Sequence, residues 1–321
     1  MSWPRRRFNH LAAVLGAAPL WSPMRALAGA PPPALPPREP ARLPHAECFE
    51  LDSRHTGQRY RIWLGLPAGA APASGYPALL ALDGQAAFAL MEPARLRPQP
   101  THALRQAKAG AQRPGLVVGI GYASLDPIDV DARALDYTPA ADCQPCDASS
   151  PRHGGAARFL DFIDDELLPV LARMFPLDRG ALTLFGHSYG GLFTLYTLLH
   201  RPALFARYWA ASPSLWFGSG LLMQDLDARL QRLDKPAGER RVHLAVGLLE
   251  QPPDPQGRPE RSARLAAHRM LPRAREFAAA LGAAAARDWP GLAVSLDEVA
   301  GHDHGAMLMH GAAAVPGFAF G

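Results

Sequence analysis

Ala181-Leu182-Thr183-Leu184-Phe185-Gly186-His187-Ser188-Tyr189-Gly190-Gly191-Leu192-Phe193-Thr194-Leu195-Tyr196-Thr197-Leu198-Leu199 holds two apolar runs joined by Gly-x-Ser-x-Gly. The order reads as strand, sharp turn, helix, which is the context a nucleophile elbow requires. Residues without a Cβ flank the serine because neighbouring backbone passes close and the turn is strained. Such a turn pushes Ser188 Oγ out beyond the sheet. It also leaves the helix N-terminus beside the place where an oxyanion would develop. The competing reading is a plain glycine-rich turn, and the apolar flanks on both sides argue against it.

Outward from the elbow, strands are expected at 48–51 and 59–66, joined by a polar turn, and at 76–82, ended by Asp83-Gly84. Further strands fall at 116–120, 208–211, 242–246 and 292–299. Amphipathic helices are expected at 156–175, 221–233 and 261–281. Residues 122–155 show no clear periodicity and read as a long insertion. No internal repeat interrupts the pattern. Continuous apolar strands alternating with helices predict an α/β-hydrolase fold over residues 46–321: a doubly wound, mostly parallel sheet with helices on both faces.

The chain has 321 residues. Arg5-Arg6-Arg7-Phe8, an apolar run at 11–18 and Ala26-Leu27-Ala28 read as an export signal over residues 1–28, cleaved near Ala28. The paired arginines resemble a twin-arginine signal, with an ordinary leader as the alternative. The apolar run is too short to span a bilayer. Proline-rich residues 29–45 read as an extended tail. Together these segments predict a periplasmic protein.

The leader carries Arg5, Arg6, Arg7 and Arg25 and no acid, which accounts for the whole formal charge of +4. The mature chain is therefore neutral, which gives no support to nucleic-acid or membrane-surface binding. In an oxidising compartment Cys143-Gln144-Pro145-Cys146 would close a local disulfide, or Cys48 would pair with either cysteine. A thioredoxin-like role or a zinc site does not suit two cysteines in a polar loop.

A serine hydroxyl needs a base to take its proton. In this fold the order along the chain is serine, acid, histidine, with the histidine after the last strand. His304 and His302 both qualify, and His304 is preferred. The His302-Asp303-His304 run could also offer metal ligands, but no third cluster accompanies it, so no metal or other cofactor is expected. His187 is set aside as base, since consecutive side chains at a tight elbow point apart. The acid is expected after strand 242–246. Glu250 comes first, with Asp254 or a dyad lacking an acid as alternatives. The oxyanion hole is expected from the N–H of Tyr189 with Gly84 or Gln85.

Several stretches occur in the order found in one known esterase family. They are Leu82-Asp83-Gly84, Arg133-Ala134-Leu135-Asp136-Tyr137-Thr138-Pro139, the elbow itself, Ser212-Pro213-Ser214-Leu215-Trp216, Val246-Gly247-Leu248-Leu249-Glu250 and His304-Gly305. The chain resembles, over roughly residues 46–315, the group that includes esterase D-like proteins and the ferric-siderophore (enterobactin and salmochelin) esterases. The resemblance implies hydrolysis of ester bonds in a trilactone siderophore, with Ser188 and His304 matching by motif. It also implies that Arg133 helps to hold an anionic ferric catecholate. From the residues alone, Arg133 reads as solvated on its loop, and Trp216 as either an acyl-pocket wall or core. Competing expectations are a general carboxylesterase for aryl, feruloyl or acetyl esters, an acyltransferase using the same acyl-enzyme, and a non-catalytic chelate-binding protein.

Overall fold

The computed structural model describes residues 42–95, 114–124, 126–143, 146–147, 150 and 152–321. The export signal and most of the proline-rich tail lie outside the described residues. Arg42–Gly321 forms one unit. Its elements run β1 (Ala46–Asp52), β2 (Arg59–Gly65), β3 (Tyr76–Ala81), α1 (Gly84–Arg95), β4 (Leu116–Tyr122) and α2 (Val130–Tyr137). Then come α3 (Ala156–Asp161), a π-helical segment (Phe162–Leu167), α4 (Leu168–Met174), β5 (Leu177–His187), α5 (Tyr189–His200) and β6 (Arg207–Ala211). One-turn helix α6 (Phe217–Gly220), a 3-10 turn (Leu221–Met223), α7 (Leu226–Arg232), β7 (Arg240–Gly247) and a second 3-10 turn (Leu248–Glu250) follow. The chain ends with α8 (Pro259–His268), α9 (Met270–Arg287), β8 (Leu292–Val299) and α10 (His304–Phe320).

The eight strands form one sheet in the order β1-β2-β4-β3-β5-β6-β7-β8. β1 with β2 and β2 with β4 pair antiparallel, and every other neighbouring pair is parallel. This is the α/β-hydrolase fold. The register follows the composition. β4, Leu-Val-Val-Gly-Ile-Gly-Tyr, is buried at every position, as a strand covered on both faces must be. β8 alternates buried or half-buried with exposed residues through most of its length, as suits an edge. On one face Leu184, Phe193, Tyr208 and Leu244 join the larger core; on the other Phe185, Trp209, Val315 and Phe320 meet in a smaller one.

Parallel pairing brings the carboxyl ends of β3, β5, β6, β7 and β8 to one edge, where open α/β sheets bind ligands. Three of the residues just past those ends have positive φ without being glycine: Asp83 at 52°, Ser188 at 61° and Ser212 at 42°. Backbone held in this region clusters at functional sites.

The structure corrects three expectations. The insertion at 122–155 contains α2, begun by Asp129, whose side chain accepts from Ala132 N at 3.0 Å. The stretch 261–281 is not one helix: Arg269, at φ 47°, breaks it into α8 and α9. The stretch 221–233 is likewise divided, with Asp225 at φ 50° before α7. Cys143 and Cys146 are bridged, and Cys48 is free and exposed on β1. Among the described residues no helix is long and apolar enough to cross a membrane.

Candidate active site

Ser188 begins α5 from the end of β5. Its turn is permitted by Gly186: a Cβ there would lie 2.1 Å from the carbonyl oxygen of Gly190. No side chain fits, so the strand and helix meet at the angle that lifts Ser188 out. Ser188 N donates to Ala211 O at 2.9 Å and Ser214 N donates to Ser188 O at 3.1 Å, tying the elbow to the end of β6.

His304 stands at the start of α10, after β8. Asp303 caps that helix, accepting from Ala306 N at 3.0 Å. His304 Nε2 lies 2.9 Å from Ser188 Oγ, and its Nδ1 lies 2.6 Å from Glu250 Oε2. Glu250 is buried. Its other oxygen accepts from Ser212 Oγ at 2.5 Å and from Gly247 N at 2.8 Å. A Cβ on Gly247 would sit 2.2 Å from His302 O, so only glycine lets the β8–α10 loop close onto the end of β7. A hydroxyl, an imidazole and a carboxylate in this order can move a proton off the hydroxyl and stabilise the imidazolium that results.

The alternatives left open by the sequence separate here. It is Glu250, not Asp254, that meets the histidine. The Asp254 carboxylate is taken up by Arg258 Nε at 2.8 Å and Arg261 Nε at 3.1 Å. His302 turns its ring outward, with Nδ1 on its own loop at Ala300 O and the ring against His310. Only its carbonyl serves the site, accepting from Leu249 N at 3.0 Å.

The His187 ring lies beside that of His304, with centroids 4.7 Å apart. Its Nε2 lies 2.7 Å from the His304 carbonyl oxygen. A carbonyl only accepts, so this nitrogen carries the proton. Burial, followed by the electrostatic influence of the neighbouring His304 and of the Arg133 guanidinium, holds the His187 pKa well below the ordinary histidine value. The neutral ring pins the backbone of His304.

Arg133 is not a solvated arginine on a loop. It lies on α2, is buried, and donates from Nε and one Nη to the two oxygens of Asp83 at 2.8 and 3.0 Å. The same Nη donates to His187 O at 3.1 Å. The guanidinium lies over the rings of Tyr137 and Tyr189, and it does not line the pocket onto which Ser188 opens. It therefore links the turn after β3 to the elbow from behind.

Gly84 and Gln85 form the first turn of α1, and Tyr189 the first residue of α5. Leu82 N donates to Phe185 O at 3.0 Å, which sets the two turns side by side. First-turn amides have no acceptor within their own helix. The Gln85 side chain is already engaged, with Nε2 on Tyr122 O and Oε1 on Tyr122 N, so only its backbone N–H is available to a ligand.

Ser188, His304 and Glu250 open onto a cavity of about 380 Å³. Trp216 lines it, as do Arg261, Arg264 and His268 from α8. Trp216 and His268 stack with centroids 4.1 Å apart and planes 3° from parallel. Ser212 opens one of the matching stretches, but its bond to Glu250 was not anticipated, and the α8 residues carry no motif of their own. Among the described residues no group of three or more His, Cys, Asp or Glu could hold a metal ion.

Residues 53–296 match the family described as "Putative esterase". The ferri-bacillibactin esterase BesA of Bacillus subtilis (strain 168) is 34% identical over 218 residues, 65% of this chain and 72% of that protein. The apo-salmochelin esterase of Escherichia coli O6:H1 (strain CFT073) is 34% identical over 188 residues, 57% of this chain and 56% of that one. The crystal structure of the BES protein from Bacillus cereus superposes with a TM-score of 0.73 at 27% identity, covering 88% of this chain and 98% of that one.

Proposed function

The chain belongs to that esterase family, in its siderophore-esterase branch, and is a carboxylic ester hydrolase; on that premise we propose that Ser188, His304 and Glu250 are its catalytic triad. The observation that carries this reading is the unbroken run of contacts from Ser188 Oγ through His304 to the buried Glu250. His304 Nε2 takes the hydroxyl proton as Ser188 Oγ attacks the ester carbonyl. Glu250 holds Nδ1–H and balances the imidazolium. The carbonyl oxygen becomes an oxyanion facing the N–H of Tyr189 and that of Gly84 or Gln85, where fixed donors favour the charge as it develops. Collapse breaks the ester C–O bond. His304 returns the proton to the leaving alkoxide, and an acyl group stays on Ser188. Water, deprotonated by the same histidine, then releases the acid.

The relatives support a siderophore ester as substrate, and the sequence resemblance narrows the proposal to a trilactone. The leader read at residues 1–28 supports an exported, periplasmic enzyme, with residues 46–321 as its catalytic domain. Product analysis by mass spectrometry tests both levels. Wild type and Ser188→Ala meet a ferric catecholate trilactone and a simple aryl acetate in parallel. Ser188-dependent opening of the trilactone well above background is the expected result. Cleavage of the aryl ester alone would reject the siderophore substrate, and full activity of Ser188→Ala would reject the triad.

A further inference from the structure

A second cavity, of about 350 Å³, shares no lining residue with the one onto which Ser188 opens. It sits at the far end of α5. Tyr196 and His200 reach it from the last turns of that helix, and Arg229 reaches it from α7. A helical rise of about 1.5 Å per residue puts His200 about 18 Å along α5 from Ser188. Pro139, Leu221 and Leu222 give the cavity apolar walls. Its volume falls within the range of small-molecule sites, roughly 300–1,000 Å³.

The charges around this cavity leave one cation over. Arg201 donates to Asp161 and, at 3.0 Å, to Asp164. Arg229 is half-buried and has no hydrogen-bonded or ion-paired side chain among the described residues. Asp225 and Asp227 of the same helix end are exposed and form no ion pair with it. Burial pulls the Arg229 pKa down, against the opposing influence of Tyr196. His200 Nδ1 lies 2.8 Å from the carbonyl oxygen of Tyr196. A carbonyl only accepts, so this nitrogen carries the proton. Burial, with a smaller push from Arg229, outweighs that bond and holds the His200 pKa below the ordinary histidine value. The ring is therefore neutral at pH 7. It stacks on Tyr196 with centroids 3.8 Å apart and planes 24° from parallel. The pair is a flat face rather than a second cation.

We propose that this cavity is a second binding site, separate from the ester site, and that it takes a small carboxylate with an apolar body. The carboxylate meets the Arg229 guanidinium, and the body lies among the Tyr196–His200 face and the two leucines. A guanidinium drawn partly out of water without an anion of its own is stabilised by one that arrives. Its planar fork pairs with both oxygens of a carboxylate. Apolar walls favour an organic acid over an inorganic anion. The site uses neither Ser188 nor His304, so it holds whether or not they form the triad.

Titration calorimetry with cyclohexanecarboxylate, its neutral amide and acetate tests the site. Wild type should bind cyclohexanecarboxylate more tightly than the amide, which lacks the charge, and than acetate, which lacks the body. Arg229→Gln should raise Kd for the carboxylate by about tenfold or more, the range of a hydrogen bond to a charged group, and leave the amide unchanged. Ala157→Phe adds a ring at the exposed rim of the cavity and keeps every charge. It should weaken the carboxylate and the amide alike. Arg232→Gln, on the exposed side of α7, and Arg264→Gln, in the Ser188 cavity, should retain wild-type binding. An unchanged Kd in Arg229→Gln, or no binding by wild type, would overturn the site. Loss of binding in Arg264→Gln instead would place the acid in the ester pocket and overturn it too. Should Arg229→Gln fail to fold, Ala157→Phe decides: binding at wild-type strength in that variant rejects the cavity.

Discussion

Ser188, His304 and Glu250 stand just past the carboxyl ends of β5, β8 and β7, on strands paired in register through the sheet. Arg261, Arg264 and His268 stand on α8, which buries none of its residues. The two sides of one pocket are thus held by different forces. Apolar packing and backbone ladders place the reacting groups, whereas ion pairs from Arg258 and Arg261 to Asp254 help to tether the helical side. A packed core tolerates little displacement, so the proton-transfer geometry is fixed. A surface helix accepts substitution at small cost. Substitutions on the exposed side of α8 should therefore leave the contacts among Ser188, His304 and Glu250 in place.

The largest expected effect within the sheet-borne side comes from Glu250→Gln. It should lower kcat by about 10²–10⁴-fold while the fold persists, because the amide favours the wrong imidazole tautomer. A loss confined to KM would place Glu250 outside the chemistry. Arg133→Met should act on stability. It leaves the Asp83 carboxylate buried without its cation, which costs about 3–5 kcal/mol in denaturant unfolding. An unchanged midpoint would contradict the brace from Asp83 to the elbow. His187→Phe keeps the ring volume and removes the bond to the His304 carbonyl. A fall in kcat on the order of tenfold, with KM held, is expected from a slightly misplaced base. Equal changes in both constants would mean that His187 only fills space.

The smallest effect on turnover is expected from a buried carboxylate remote from the site, which instead gives stability a pH slope. Asp136 accepts from Tyr60 Oη and Gln58 Nε2, and burial pushes its pKa up to about 7. The folded state then holds a proton that the unfolded state has lost above pH about 4. Stability from this group is present below that value and is lost as pH rises through about 7. The gap in Tm between wild type and Asp136→Asn should therefore shift against wild type from pH about 4 to about 7 and flatten above. A constant gap would mean that Asp136 is ionised throughout.

The elbow, the strand set and the order of Ser188, Glu250 and His304 were legible because each rests on local pattern: apolar runs, glycines at a turn, a residue just past a strand. α10 was not read, because its face of Gly305, Ala306, Gly311 and Ala312 is small and apolar all round and carries no amphipathic period. α2 had a signal in Asp129 ahead of Ala132, hidden by the polar insertion around it. The break at Arg269 did have a signal in Pro272, which is tolerated in the first turn of α9 but not inside one helix over 261–281; it was passed over, and with it went the orientation of α8. The roles of Arg133 and His187 depend on partners 50 and 117 residues away. Separations of that kind leave no trace in spacing.

Intact-protein mass spectrometry on a rapid-quench time course with a slowly deacylating aryl ester bears most directly on the triad. The account predicts a burst in which the chain gains one acyl mass, mapped by peptide digestion to Ser188 and absent in Ser188→Ala. An acyl group on another residue, or product release at the full rate with Ser188 absent, would contradict it.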